Sequence, residues 1–421
     1  MPSQLTERKL DPLYFFLPMI EALDREEHDL VGATVGHGKR VAYLSYLMTR
    51  SLPWSPDERL AFVLAALLHD CGSVETIREM RDAARNRKPF SGTFSNGRVV
   101  DDASIHAQKG EDLLQDMPFY SQIKGVVMMH HEWANGTGPM GLREDAIDKR
   151  AQVLYLADRM DIRYDLLSLS ESGFREMVRD LLGLEHIEFS HDALVLLEKN
   201  LTYEAVQKLQ EIPLNRLLKS VVPSHACEYS LKDMLTITRF FERIVDNKSS
   251  FTKDHSHGIA MKALAMAQKY GWNEEKQERF LLAASLHDYG KLQVPSSILE
   301  KAGPLTAEEF QIMKNHVRWT YEVLDEIPGF EDIRDWASFH HEKLDGSGYV
   351  KGLCSKELSF EDRLMACLDI YQALTEKRPY KEGFSHEKTI AIMRELACKG
   401  KIDGAIVRDL DAFFEPTRLP S

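Results

Sequence analysis

The sequence lacks the features that would place this protein outside the cell or in a membrane. Its 421 residues include only five cysteines, which are scattered and form no CxxC pair. Few unpaired cysteines favour reduced thiols over a disulfide framework. No apolar run approaches the roughly 18 residues of a membrane-spanning helix, and charged residues interrupt the first segment, so no signal peptide is expected. A cytoplasmic protein without membrane contact is predicted.

An excess of positive charge is also missing. The formal net charge is −13, which argues against general binding to DNA, RNA or an anionic membrane. It does not exclude an anionic substrate, because a bound metal and a few local cations set the field at a site.

Strand patterns are scarce, whereas apolar residues recur at helical spacing in segments such as Val41–Met48 and Arg59–Leu68. Ser55 followed by Pro56 has the pattern of a helix N-cap and first helical residue. The sequence therefore predicts an all-α protein, and its length predicts more than one domain.

Histidine and aspartate recur in the second half at intervals that core packing does not explain. The set comprises His255, His287, Asp288, His316, His340, His341 and Asp369. Neutral imidazole with carboxylate suits iron, manganese and zinc. His287 and Asp288 end a long apolar segment, where an adjacent pair can reach two metals with the aspartate oxygens bridging. Two such metals would stabilise a phosphoryl displacement, and Lys291, one turn later, could neutralise a phosphate oxygen.

The first half repeats this set. Its members are His37, His69, Asp70, His106, His130, His131 and Asp158. In both halves the second histidine follows the first by 32 residues, and the fourth follows the third by 24. The interval from the second to the third histidine is longer in the first half than in the second, and the extra residues fall in the polar segment 78–104, a predicted loop. Such a repeat indicates a tandem duplication. We expect domains over residues 1–215 and 225–421, with the boundary in Glu211–Ser230.

These residues resemble the HD superfamily of metal-dependent phosphohydrolases, and the second half resembles its HD-GYP branch of cyclic-dinucleotide phosphodiesterases. The motifs that carry the resemblance are Gly290-Lys291, Gly303-Pro304-Leu305-Thr306, His340-His341-Glu342, Asp345-Gly346-Ser347-Gly348-Tyr349 and Arg378-Pro379-Tyr380. The resemblance implies two tandem HD-type helical bundles, each around a metal site.

The resemblance also implies roles for residues of the second half. The seven histidines and aspartates would bind metal, with Asp288 and Lys291 catalytic. Lys291, Arg378 and Lys381 would contact substrate phosphate, and Tyr349 would line the pocket. Iron or manganese is expected, with magnesium, nickel or zinc as alternatives.

Three departures from the family pattern qualify these roles. Val350 replaces the proline of the GYP signature, which reshapes that loop. Phe251 stands where some members carry a glutamate that binds a third metal, so two metals are expected. Gln372 replaces a second aspartate after Asp369, which leaves base preference open.

The first half resembles a more distant HD domain. It keeps the seven ligand positions, but Ser73 replaces the lysine, Asn135-Gly136-Thr137-Gly138-Pro139 replaces the tyrosine motif, and the Arg-Pro-Tyr segment is absent. Retained ligands predict a retained metal. Two hypotheses stay open: a 5′-nucleotidase acting on the linear product, with basic residues of segment 78–104 as a lid, or a scaffold that dimerises or regulates.

The sequence thus predicts an enzyme that hydrolyses cyclic-di-GMP or 3′,3′-cyclic GMP-AMP to the linear dinucleotide. Two other classes remain as alternatives, namely a diiron oxygenase and a non-catalytic module that binds a cyclic dinucleotide. A homodimer is left open.

Overall fold

The structure is a computed structural model. It describes residues 8–20, 35–73, 75–76, 79, 94–95, 98–99, 102–248, 255–299, 301, 303–376 and 383–415. The chain divides into two compact units, Met1–Asp233 and Met234–Ser421. The division falls just after the segment in which the sequence suggests a boundary, and the domain limits given above stay a prediction.

The first unit is built from helices. Residues 12–20 are helical, and the elements that follow are α1 (His37–Thr49), α2 (Pro56–Leu68), α3 (Asp102–Leu114), α4 (Lys149–Arg163), α5 (Glu171–Leu182), α6 (His191–Asn200), α7 (Tyr203–Glu211) and α8 (Leu214–Val221). Helix α1 packs against α2, α4 and α6. Helices α2 and α4 both contribute many buried apolar side chains to the core of this unit.

The second unit repeats this design. Its helices are α9 (Leu231–Lys248), α10 (His255–Lys269), α11 (Glu274–Leu286), α12 (Ser296–Leu299), α13 (Ala307–Asp325), α14 (Glu331–Ser338), α15 (Phe360–Thr375), α16 (His386–Cys398) and α17 (Gly404–Phe414). Helix α10 packs against α11 and α15, as α1 packs against α2 and α4. The helices that begin at His37 and His255 therefore have matching neighbours in the two units.

Side-chain caps fix where several of these helices begin. Ser55 and Glu58 form a reciprocal capping box at α2 with Pro56 in the first turn, so the predicted N-cap is confirmed. Thr306 caps α13 and Ser359 caps α15 in the same way. Such caps satisfy backbone N–H groups that have no partner inside the helix.

The strands described are short. β1 (Arg8–Leu10) pairs antiparallel with β4 (Cys227–Tyr229), so that Leu10 lies opposite Cys227. β2 (Phe94–Ser95) pairs with β3 (Arg98–Val99) within the segment predicted as a loop. These ribbons do not alter the helical class, and the all-α prediction is confirmed. In the part of the chain that the structure describes, no helix has the length and apolar character needed to cross a membrane.

A glycine beside each His-Asp pair lets two segments approach closely. A Cβ on Gly72 would lie 2.1 Å from the carbonyl oxygen of His106, and one on Gly290 would lie 1.9 Å from that of His316. The glycine therefore allows the turn after His69 or His287 to touch the helix that carries the next histidine. The backbone contact sets the separation of these ligand candidates.

We predict that Gly290→Ala destabilises the protein by about 2 kcal/mol or more, because the added methyl group forces backbone apart in a packed region. It should also weaken metal binding, since His316 moves away from His287. Urea unfolding and metal titration measure the two effects. The control is Gly303→Ala, since a Cβ on Gly303 has no neighbour within 4 Å. Equal stability of the two variants would contradict the proposed contact.

Candidate metal centres

A repeated hydrogen bond fixes the orientation of the histidines. In five of them the Nδ1 atom faces the backbone carbonyl three residues earlier, at 2.9 Å for His69, 2.5 Å for His130, 2.7 Å for His287, 2.6 Å for His316 and 2.7 Å for His340. A carbonyl only accepts, so Nδ1 carries the proton and donates it. The lone pair is then on Nε2, the atom that can bind a metal.

In the first unit, Asp70 divides the histidines into two groups. Its Oδ2 lies 3.6 Å from Nε2 of His37 and 3.2 Å from Nε2 of His69. Its Oδ1 lies 3.2 Å from Nε2 of His106 and 3.7 Å from Nε2 of His130. Each carboxylate oxygen thus faces its own set of imidazoles, which is the arrangement that a carboxylate bridging two metals requires.

Two further residues complete the first-unit cluster. Asp158 Oδ1 lies 3.2 Å from Nε2 of His37, on the Oδ2 side of Asp70. Nε2 of His131 lies 3.0 Å from Nε2 of His106, on the Oδ1 side. The structure therefore brings all seven predicted residues of this half together, in two groups that share Asp70.

Asp288 has the same place in the second unit. Its Oδ2 lies 3.2 Å from Nε2 of His287, and its Oδ1 lies 3.5 Å from Nε2 of His316. His340 lies with His287 and Asp288 in one potential ligand group and with His316 and His341 in another. Burial lowers the pKa of His340 and of His341, and the half-buried Asp369 opposes this shift electrostatically.

The charges of the second cluster suit a cation. Burial lowers the pKa of His316 to about 4 and that of His341 to about 3, so these imidazoles are neutral at pH 7. Burial alone would raise the pKa of Asp288, but His287 and Lys291 hold it well below its usual value. Neutral imidazoles around an ionised carboxylate are the protonation states that metal binding needs.

Unsatisfied buried atoms give an independent test of whether a metal fits. Within the described residues, the buried Nε2 atoms of His69 and His130 in the first unit, and of His316 and His340 in the second, have no hydrogen-bond partner. Such groups are rare in folded proteins and call for an explanation such as an ion. A bound metal would give each of these Nε2 atoms a partner, so both clusters fit the predicted metal. The ligand roles of individual residues stay a prediction.

Sequence reasoning missed a buried carboxylate behind His37. Asp161 Oδ2 lies 2.7 Å from Nδ1 of His37, and Arg40 donates to both Asp161 oxygens at 2.6 and 2.9 Å. Burial would lower the pKa of His37, but Asp158 and Asp161 raise it well above its usual value. A carboxylate behind a histidine orients the ring and increases its basicity as a ligand. The only signal was the position of Asp161, one turn after Asp158.

A second missed residue follows each His-His pair. Buried Glu342 accepts backbone N–H groups of Lys351 at 2.7 Å, Gly352 at 3.1 Å and Leu353 at 3.0 Å. In the first unit, Glu132 accepts those of Met140 at 2.5 Å and Leu142 at 2.8 Å. Each glutamate thus holds the glycine-rich loop against the histidines. The His-His-Glu sequence was visible in both halves, but its distant loop partner was not.

That loop places Tyr349 at the second centre. The Tyr349 ring centroid lies 4.9 Å from that of His341, and Lys314 Nζ lies 5.3 Å from the tyrosine centroid. The Lys291 ammonium contacts the Asp288 carboxylate directly. These predicted residues therefore lie at the cluster, with Lys314 as an addition.

Some predicted residues cannot be placed. Arg378 and Lys381 lie outside the described residues, as does the side chain of His255, although its backbone begins α10. Of the basic residues predicted for a lid in segment 78–104, only the backbone of Arg98 is described, in β3.

Models of the HD domain match residues 34–163 and 239–406. The chain is 28% identical to the 3′3′-cGAMP-specific phosphodiesterase 1 of Vibrio cholerae over 407 residues, 92% of this chain and 90% of that protein. It is 32% identical to a cyclic di-GMP phosphodiesterase response regulator of Xanthomonas campestris over 185 residues, 42% of this chain and 46% of that protein.

A solved structure shares the fold. The crystal structure described as a cyclic GMP-AMP-specific phosphodiesterase of Vibrio cholerae aligns with a TM-score of 0.62 and 21% identity, covering 98% of this chain and 99% of that one.

The two matched HD models together span more than half of the chain, one in each half. The protein therefore belongs to the HD-domain proteins and carries two HD domains in tandem. It is an enzyme of their metal-dependent hydrolase class. The predicted tandem HD organisation and enzyme class are confirmed.

We predict that Glu342→Gln keeps metal but lowers turnover at least about tenfold, because an amide offers one acceptor where the carboxylate offers two, and the loop that carries Tyr349 loosens. Losing such buried bonds also costs about 2 kcal/mol of stability. Metal analysis and steady-state kinetics test this. Glu357→Gln is the control, since exposed Glu357 accepts a single N–H, from Cys354. Unchanged kinetics in Glu342→Gln would refute the role.

Proposed function

We propose that the second HD domain hydrolyses one 3′,5′ phosphodiester bond of a cyclic dinucleotide and releases the linear dinucleotide. The observation that carries this proposal is the placement of Asp288 between His287 and His316, with the Lys291 ammonium on the same carboxylate. A phosphate that approaches this centre would meet ligand atoms for two cations and the positive side chain of Lys291 together.

The residues have separate tasks in this reaction. His287, His316, His340, His341 and the aspartates would hold two divalent transition metals, iron or manganese, which supply Lewis acidity and lower the pKa of a water molecule. Lys291 can exchange its contact with Asp288 for a phosphate oxygen as negative charge develops there. Tyr349 closes one side of the pocket against His341. Arg378 and Lys381 are proposed as further phosphate contacts on sequence grounds alone.

The relatives favour one of the two predicted substrates. The Vibrio cholerae protein that matches along nearly the whole chain is named for 3′3′-cGAMP, whereas the cyclic di-GMP phosphodiesterase of Xanthomonas campestris matches less than half. We therefore propose 3′,3′-cyclic GMP-AMP as the preferred substrate, with cyclic-di-GMP as the alternative. Gln372, which replaces the usual aspartate, is a candidate for the residue that sets this substrate preference.

For the first domain we propose a 5′-nucleotidase activity on the linear product. Hydrolysis of the cyclic substrate leaves a 5′-terminal phosphate, and a monoester needs fewer contacts beyond the metals than a cyclic diester does. The supporting observation is that His37, His69, Asp70 and their partners form a cluster as complete as that of the second unit, although Ser73 replaces the lysine. A scaffold role is the alternative.

We predict that His287→Ala with Asp288→Ala abolishes phosphodiesterase activity and metal binding in the second domain while helical content persists. Lys291→Ala should keep metal but lose roughly 30- to 1000-fold in rate, since one charge-assisted phosphate contact is worth about 2–4 kcal/mol. Lys301→Ala is the matched control, because Lys301 pairs with Glu309 instead. Turnover of both cyclic dinucleotides and metal content are measured.

The same assay separates the other classes of protein. Full activity in the double variant would refute the assignment. Binding of the cyclic dinucleotide without cleavage by intact enzyme would indicate a receptor, and substrate loss coupled to dioxygen uptake would indicate an oxygenase.

We predict that His69→Ala with Asp70→Ala leaves the first cleavage intact but stops phosphate release, so that the 5′-phosphorylated linear dinucleotide accumulates. Chromatography of the products and a phosphate assay measure this. Unchanged phosphate release, or none from the intact enzyme, would leave the scaffold role.

A further inference from the structure

A third group of metal-binding side chains lies in the first unit, away from both HD centres. Asp57 is in the first turn of α2, whereas Cys227 begins β4 and His225 lies two residues before it. One carboxylate oxygen, one imidazole nitrogen and the thiol sulfur of these residues all lie within 4.8 Å of one another. We propose that Asp57, His225 and Cys227 bind a zinc ion.

The donor set decides the metal. Thiolate, imidazole and carboxylate in one group suit zinc, which takes four ligands at tetrahedral angles. Donors in such a site lie about 3.5 Å apart, which is less than the 4.8 Å within which the three donor atoms lie here. His225 Nε2 and Asp57 Oδ1 are hydrogen-bonded at 2.7 Å, so they need to separate by about 0.8 Å to share an ion. Cys227 would release its proton to solvent on binding.

The surrounding structure holds two of these ligands in place. Asp11 accepts the backbone N–H of His225 at 3.2 Å and the Ser224 hydroxyl at 2.7 Å. Cys227 is paired with Leu10 in the β1–β4 ribbon. The Cys227 thiol donates to the backbone carbonyl of His225 at 3.7 Å, which orients the sulfur, and burial raises the pKa of this thiol. The backbone of His225 and the strand position of Cys227 are thus fixed before a metal binds, which limits the rearrangement that binding requires.

A cavity adjoins the group and supplies room for the fourth ligand. Its volume is about 570 Å³, and its lining includes the three ligands with Leu60, Leu64 and Phe119. Three protein ligands and an open position would leave the zinc with a water molecule from this cavity.

The site is separate from the HD centres. Asp57 and His69 stand at opposite ends of α2, 12 residues and about 18 Å apart. A zinc ion at Asp57 would fasten the start of this helix to the β1–β4 ribbon, while His69 and Asp70 follow its other end. The ion pair of His225 with Asp57 would by itself be worth little on a partly exposed surface, and it does not explain the thiol beside it.

Cobalt replaces zinc and reports its ligands, because a thiolate bound to Co²⁺ gives an intense near-ultraviolet charge-transfer band. The HD centres have only histidine and aspartate as predicted ligands, so they give no such band. The full chain is titrated with Co²⁺ and then with Zn²⁺, beside Cys227→Ser, His225→Ala and the control Cys398→Ser, which alters an exposed thiol.

We expect the band in the intact chain and in Cys398→Ser, its loss in Cys227→Ser, at least tenfold weaker binding in His225→Ala, and displacement by Zn²⁺. Zinc content should fall by one equivalent in Cys227→Ser. If the intact chain gives no band, or Cys227→Ser keeps it, the inference is wrong whether or not any variant folds. Phosphodiesterase activity is measured in parallel, so failure here is distinct from failure of the proposed function.

Discussion

The hydrogen bond from a histidine Nδ1 to the carbonyl three residues earlier is the constraint on which both centres depend. It occurs at His69 and His130 in one half and at His287, His316 and His340 in the other. The bond is local, so any chain that ends a helical turn with histidine can form it. It fixes the tautomer before any metal arrives, and the fold has only to bring the Nε2 atoms together around one aspartate.

This local character explains how much could be predicted from sequence. The interval between His37 and His69, repeated between His255 and His287, predicted the duplication. The ligand set that it indicated includes the residues that the structure brings together around Asp70 and Asp288, because the helices between them have fixed lengths. The capped start of α2 at Ser55 followed from local rules too. Even the sharing of Asp70 between two groups was implied by its adjacency to His69.

Contacts between distant segments could not be predicted in this way. Glu342 differs in no visible way from a solvated glutamate until its loop folds back on it, and Gly290 looks like a turn residue until His316 approaches it. Asp57 and Cys227 are separated by most of the first unit, so no local pattern joins them. Such contacts depend on packing, for which the sequence of one protein carries no periodic signal.

The two centres differ in what stands behind the ligands. Three residues after Asp158 is Asp161, held by Arg40; three residues after Asp369 is Gln372, which accepts instead from Lys262 at 2.7 Å. Gly258 occupies the position of Arg40, and a Cβ there would lie 2.4 Å from Gln372. An anion behind His37 strengthens its hold on a metal, whereas a neutral amide at the equivalent position adds no such charge.

In the first domain the additional charged side chains thus lie behind a metal-ligand candidate. In the second domain the additional charge is that of Lys291, at the proposed substrate position. The first centre has Ser73 in place of that lysine, so it would depend more on its metals to bind phosphate, which suits a small monoester. A centre with Lys291 and Tyr349 can grip the diester of a larger ring. These unequal surroundings of two similar ligand sets are the reason for proposing two different hydrolytic steps, and not the same step in both domains.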